Sequence, residues 1–217
     1  MATVSILVAD DHAIFRRGLR TLLETQATWK VVAEVSNGRE AVDQAARLRP
    51  DIAILDIGMP ELNGLDAATL ILKASPRTRI LILTMHAADE LIQKTLQRGA
   101  SGYLLKNDAE RDLITAVDAL LHEKTFFTSA ASEVILGSLR DSGANAKGEE
   151  FQPRLSIRER EVVQLLAEGR SNKEVASILN ISTRTVEHHR ARVMEKLNLH
   201  SLSDLVRYTI RNKMVEP

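Results

Sequence analysis

The chain of 217 residues contains no cysteine. Disulfides and thiolate metal sites are excluded, and the composition fits a bacterial-type cytosol. Aromatic residues make up only 3%, so a core has to be built from Leu, Ile, Val and Ala. No apolar stretch approaches the roughly 18 residues that would suggest a membrane span. The first residues also lack the basic start and long apolar run of a secretion signal. A cytoplasmic protein without a membrane partner is expected. Net charge is absent too, with 29 Lys and Arg against 29 Asp and Glu. That balance alone predicts no nucleic-acid partner, but it hides an asymmetry. Residues 154–217 hold 12 basic and 8 acidic side chains, whereas residues 1–153 hold 17 and 21. The C-terminal part is the one suited to an anionic partner.

What is present is ordinary for a globular chain: 44% hydrophobic and 27% charged residues, at a length that suits one large or two small domains. The first 125 residues alternate short apolar runs with helical patterns. Strands are expected at 5–9, 30–35, 52–55, 80–83 and 101–105. Helices are expected at 13–24, 38–48, about 65–73, 88–98 and 109–121. A five-fold βα alternation with near-continuous apolar strands predicts an α/β domain with a parallel sheet covered on both faces. A further helix is expected at 129–139. The stretch 141–150 is small, polar and aperiodic, and reads as a flexible linker. From Leu155 onward every pattern is helical. Ser156 with Glu159 fits a capping box, Ser171 with Glu174 and Ser182 with the threonines after it mark two more helix starts, and a fourth helix runs from about Ser201 to Arg211.

Chemistry concentrates at the strand ends. Ile6-Leu7-Val8-Ala9 ends in Asp10-Asp11, and Ile54-Leu55 ends in Asp56. Ile80-Leu81-Ile82-Leu83 ends in Thr84, and Gly102-Tyr103-Leu104-Leu105 ends in Lys106. A lone Asp in such a place is usually a cap or turn former. In a parallel sheet, however, these groups meet at one edge, where open α/β sheets bind ligands. Three carboxylates in one pocket stay ionised together only around a cation. With no Cys, and with carboxylates outnumbering the nearby His12 and His86, a hard cation such as Mg²⁺ is favoured. Mg²⁺ would draw phosphate oxygens in and leave Asp56 placed for in-line attack, forming an acyl phosphate. Lys106 would pair with one phosphate oxygen and Thr84 would offer its hydroxyl to another.

The stretches Leu7-Val8-Ala9-Asp10-Asp11-His12, Leu55-Asp56-Ile57-Gly58-Met59-Pro60, Asn63-Gly64, Leu83-Thr84 and Gly102-Tyr103-Leu104-Leu105-Lys106 resemble the receiver domain of two-component response regulators. The resemblance implies a flavodoxin-like fold with a five-stranded sheet of order 2-1-3-4-5. It implies that Asp56 is the phosphoacceptor and a sensor histidine kinase the phosphodonor. It implies that Asp11, Asp56 and the carbonyl of Gly58 ligate Mg²⁺, with Asp10 bound through water. Thr84 and Tyr103 would form a switch pair, Tyr103 rotating inward as Thr84 swings toward the phosphate.

In the C-terminal part, Val175, Ile178 and Leu179 face inward from one short helix. Ile181, Val186, Val193 and Leu197 do so from the next. The joint Asn180-Ile181-Ser182 is tight enough for a helix-turn-helix. Thr183, Arg184, Thr185, His188, Arg190 and Arg192 would meet double-stranded DNA, with Arg170 and Lys173 gripping phosphate. From charge pattern alone, an ordinary bundle with a solvated basic face fits equally well. The segments 155–162, 169–176 and 185–190, with Lys196-Leu197, resemble the LuxR-type DNA-binding domain of the NarL/FixJ subclass. That resemblance covers about residues 153–213. It places base-reading positions at Glu187, His188 and Ala191, and a homodimer interface on Leu202, Leu205, Val206 and Ile210. His189 and Val186 are expected to pack inward.

The expected organisation is a receiver domain at 1–125, a linker at 126–152 and a DNA-binding domain at 153–217. The favoured function is a phosphorylation-switched transcription factor whose domains are released or paired on phosphorylation, and which is no enzyme beyond its own phosphotransfer and dephosphorylation. Two alternatives remain at this stage. One is a transcription factor whose receiver acts without phosphorylation. The other is a Mg²⁺-dependent phosphatase with an aspartyl intermediate, which would need a substrate pocket and a cap domain.

Overall fold

A computed structural model describes residues 3–85, 88–128, 131–132 and 155–215. The chain divides into two compact units. The first is a six-stranded sheet of order β2-β1-β3-β4-β5-β6, all neighbours parallel. Its strands are β1 (Val4–Ala9), β2 (Trp29–Val35), β3 (Ile52–Asp56), β4 (Arg79–Thr84), β5 (Gly102–Leu105) and β6 (Phe126–Phe127). Between them lie α1 (Ala13–Leu23), α2 (Gly38–Leu48), α3 (Gly64–Ala74), α4 (Asp89–Gln97) and, after a 3-10 turn at Lys106–Asp108, α5 (Ala109–Leu121). The sheet thus gains a sixth strand beyond the five expected. Phe126–Phe127 is too short for any alternation to show, and it pairs with Gly102 and Tyr103 of β5.

Alternation divides the strand residues between two faces. Ile6, Val8, Ile52, Ile54, Leu81, Leu83 and Leu104 pack with Leu19, Leu23, Leu113 and Val117 of α1 and α5. The other face, with Leu7, Ala53, Leu55, Ile80, Ile82 and Tyr103, is buried as well. Burial on both faces explains the unbroken apolar runs. Asn37 caps α2 and Asn63 caps α3, each accepting the backbone N–H three residues on.

The second unit contains α6 (Ile157–Ala167), α7 (Asn172–Leu179), α8 (Thr183–Lys196) and α9 (Leu202–Arg211). Leu155, Val162, Leu165, Val175, Leu179, Val186, Val193 and Leu205 form its core. Capping boxes start α6 at Ser156 and α7 at Ser171. Asn180 ends α7 in the left-handed conformation, φ 51°, and Ser182 caps α8 through the Thr185 N–H. The joint between the two helices is therefore fixed by local chemistry. Arg158 of α6 adds a tie, donating to the Leu179 carbonyl at 2.7 Å while paired with Glu161 at 2.9 Å.

The helix expected at 129–139 and the linker at 141–150 lie outside the described residues, except that Ala131 and Ser132 are helical. No helix among the described residues is long and apolar enough to cross a membrane.

Candidate functional site

Sheet register assembles the site. Ala9 pairs with Leu55, so Asp10 stands level with Asp56. Asp56 pairs with Leu83 and Thr84 with Leu105, so Thr84 and Lys106 follow within a residue or two. Asp10, Asp56, Thr84 and Lys106 are all buried, and Asp11 is exposed at the rim.

Lys106 Nζ lies 2.8 Å from Asp56 Oδ2 and 2.9 Å from Asp10 Oδ2. Its ammonium also sits 5.0 Å from the centroid of the Phe15 ring on α1. One amine thus lies between two carboxylates. The Asp10 oxygen is close to it without hydrogen-bond geometry, and remains a buried acceptor with no hydrogen-bond partner. The other Asp10 oxygen accepts the His12 N–H at 2.8 Å, and Arg16 donates to the Asp10 carbonyl. His12 Nδ1 approaches Asp11 Oδ1 at 2.7 Å.

Burial pushes the Asp56 carboxyl above its ordinary value, and the bond to Lys106 offsets this only in part. Burial opposes the charge on Lys106, yet the two carboxylates hold its pKa above the usual value. Ligand atoms of Asp10, Asp11, His12 and Asp56 all lie within 4.8 Å of one another. The acidic pocket is compatible with Mg²⁺: oxygen donors dominate it, and the carboxylates of Asp10, Asp11 and Asp56 converge there. Gly58 lies in the turn after β3, two residues past Asp56, and His86 lies outside the described residues.

Tyr103 and Thr84 share a sheet face. Tyr103 is only 1% exposed, and burial pushes its phenol up to about 12. Phe15 and Arg16, which meet Lys106 and the Asp10 carbonyl, carry no mark of this site in the sequence. Neither Phe nor Arg on a helix announces a contact with the end of a strand.

On the second unit, Lys173, Thr183, Arg184, Glu187, His188, Ala191 and Arg192 are exposed, and Arg190 is half-buried. The Thr185 hydroxyl lies 2.8 Å from that of Ser182, so it serves the helix cap. Val186 is buried. His189 is half-buried and its Nδ1 is buried without a hydrogen-bond partner; burial and then the charge of Arg158 hold its pKa below the usual value.

One expectation needs correction. Leu205 is 1% exposed and belongs to its own unit's core, so it is not available to a partner. Leu202 is 47% exposed, while Val206 and Ile210 are half-buried. The apolar stripe on α9 is wide enough to serve two surfaces, and periodicity does not divide it.

The profile of the response regulator receiver domain matches residues 6–118, and that of the bacterial regulatory proteins of the luxR family matches residues 153–209. The oxygen regulatory protein NreC of Staphylococcus carnosus (strain TM300) is 37% identical over 98% of this chain and 100% of its own length. NreC of Staphylococcus epidermidis (strain ATCC 12228) is 38% identical over the same shares. Among solved structures, the RcsB response regulator of Salmonella typhimurium superposes with a TM-score of 0.61 at 28% identity, covering 96% of this chain and 97% of that one. A structure of two RcsB dimers bound to two parallel DNAs gives 0.57 at 28%, covering 95% and 97%.

Proposed function

The chain belongs to the DNA-binding response regulators of two-component systems, with a receiver domain and a LuxR-type helix-turn-helix domain, and from that premise we propose that phosphorylation of Asp56 by a sensor histidine kinase switches its binding to double-stranded DNA in the cytoplasm. Residues 1–125 act as the receiver, 126–152 as the linker and 153–217 as the DNA-binding domain.

Asp56 attacks the phosphorus of a phosphohistidine in line. The O–P bond forms as the P–N bond breaks, and the imidazole leaves. Asp11, Asp56 and the Gly58 carbonyl, with Asp10 beside them, are the groups that would hold Mg²⁺. When bound, Mg²⁺ supplies neutralisation of the phosphoryl oxygens and of the clustered carboxylates. Lys106 exchanges its carboxylate partners for a phosphoryl oxygen, and Thr84 donates its hydroxyl to another. Water attacks the phosphorus of the acyl phosphate, the P–O bond to Asp56 breaks, and inorganic phosphate leaves, which returns Asp56 to its carboxylate. Tyr103 is already buried, so phosphorylation acts by lengthening its stay inward rather than by creating that position.

Paired protomers then present two α8 helices to half-sites about one helical turn apart. Leu202, Val206 and Ile210 carry the contact between the DNA-binding domains. Lys173, Thr183, Arg184, Arg190 and Arg192 meet phosphate, whereas Glu187, His188 and Ala191 face base edges.

The observation that carries the reading is Lys106 lying 2.8 Å from Asp56 and 2.9 Å from Asp10. An amine buried between two acids at the ligand-binding edge of a parallel sheet is the arrangement that a site taking up added negative charge requires. Incubation with acetyl phosphate and Mg²⁺, followed by intact-mass analysis, is expected to add one phosphoryl group to the wild type and none to Asp56→Ala. Equal labelling of both would refute the assignment.

A further inference from the structure

The Lys106 side chain is buried, and its ammonium meets neighbours of two kinds. Asp56 and Asp10 lie 2.8 Å and 2.9 Å away. The same nitrogen sits over the face of the Phe15 ring, 5.0 Å from its centroid. Phe15 is half-buried and packs against the core that also holds Leu19 and Leu23 of α1, so the ring is supported from behind. His12 starts α1 without a side-chain cap bond, and Arg16, donating to the Asp10 carbonyl, ties that first turn to the end of β1. The ring therefore has a fixed place relative to the two carboxylates.

We propose that Phe15 is a positioning residue for phosphoryl transfer, its π face holding the Lys106 ammonium where the phosphoryl group arrives on Asp56. The inference rests on Asp56 as phosphoacceptor and concerns what places the amine beside it. A buried ammonium needs compensation for the water it has lost. An oxygen acceptor in place of the ring would bind it by a charge-assisted hydrogen bond and compete with the phosphoryl oxygen. An aliphatic side chain there would give the charge nothing. An aromatic face lies between these limits: its quadrupole attracts the cation, yet it claims none of the cation's hydrogen bonds to lone pairs. Lys106 is thus free to exchange a carboxylate for a phosphoryl oxygen while the ring keeps its ammonium in the site.

The test follows labelling of the full chain by acetyl phosphate with Mg²⁺, read by intact mass. Pentafluorophenylalanine at position 15 keeps the shape and apolar character of the ring and reverses the charge of its face. Phe15→Leu removes the face, and Phe15→Tyr retains it. The expected result is labelling about three- to tenfold slower in the fluorinated and Leu forms and within about twofold of the wild type in Phe15→Tyr, a range set by the worth of one cation–π contact. Affinity for beryllofluoride is expected to fall in the same two forms and to be kept in Phe15→Tyr. The fluorinated ring preserves packing, so the comparison does not depend on how well Phe15→Leu folds. A wild-type labelling rate in the fluorinated form overturns the proposal, as does a Phe15→Tyr form as slow as Phe15→Leu. No labelling of the wild type, or labelling of Asp56→Ala, overturns the phosphoacceptor reading itself and is told apart by those controls.

Discussion

The Asp56 carbonyl oxygen occupies the place where a side chain on Gly64 would have to be: a Cβ there would lie 1.9 Å from it. The start of α3 is therefore packed directly against the end of β3, and the Asn63-Gly64 pair sets the loop behind the acidic site. Asn63 accepts the Asp66 N–H at 3.0 Å, and buried Asp66 is paired with Arg98 at 2.6 Å. Gly64→Ala has to move backbone, at a cost of about 1–3 kcal/mol or more. Denaturant unfolding of the variant is expected to show that loss together with slower labelling by acetyl phosphate. Unchanged stability would mean that the close approach is not maintained.

Mg²⁺ is expected to stabilise the receiver unit. Ten times its dissociation constant should add about 1.4 kcal/mol by linkage, visible as a raised melting temperature. Asp10→Asn and Asp56→Asn should each reduce that gain. A gain of the same size in both variants would place the cation elsewhere.

The Glu159–Lys196 pair joins the start of α6 to the end of α8 at 2.7 Å, with Glu159 buried. Burial opposes ionisation of Glu159, yet the bonds from Lys196 and Ser156 outweigh it and hold the carboxyl at about 2 rather than 4.5. Below 4.5 the unfolded chain takes up a proton that the folded chain refuses. The pair's contribution is thus fully present above pH 4.5 and is lost as pH falls toward 2. Amide protection factors in α6 and α8, corrected for the intrinsic pH dependence of exchange, should fall through that window in the wild type and much less in Glu159→Gln. Lys196→Ala should cost about 1–2 kcal/mol at neutral pH, below the full figure for a buried pair because Lys196 is partly exposed.

Arg184→Ala and Lys173→Ala are expected to weaken DNA binding uniformly across sequences. Each should lower the slope of log affinity against log salt by about one. Glu187→Ala should instead change which sequences are chosen. Binding isotherms at several salt concentrations on selected and random duplexes separate the two effects. A change of sequence choice in Arg184→Ala would move that residue from phosphate to base contact.

Much of this was legible beforehand because the sheet is parallel. Strands buried on both faces are apolar throughout, so β1, β3 and β4 stood out, and their polar end residues marked the edge where Asp10, Asp56, Thr84 and Lys106 meet. Helices α2 and α5 have the bounds that periodicity and a following Pro or polar stretch predict. What was hidden had weak local signals. Phe126–Phe127 is two residues long, and Leu205 shares its stripe with residues that face outward.

The central claim is that a phosphoryl group on Asp56 controls what α8 does. Its most direct test is DNA affinity of the full chain with and without beryllofluoride and Mg²⁺, for the wild type and for Asp56→Ala. The account predicts tighter binding of the wild type with the mimic and no response in Asp56→Ala. Equal affinity of the wild type in both conditions, or a response that survives in Asp56→Ala, would contradict it.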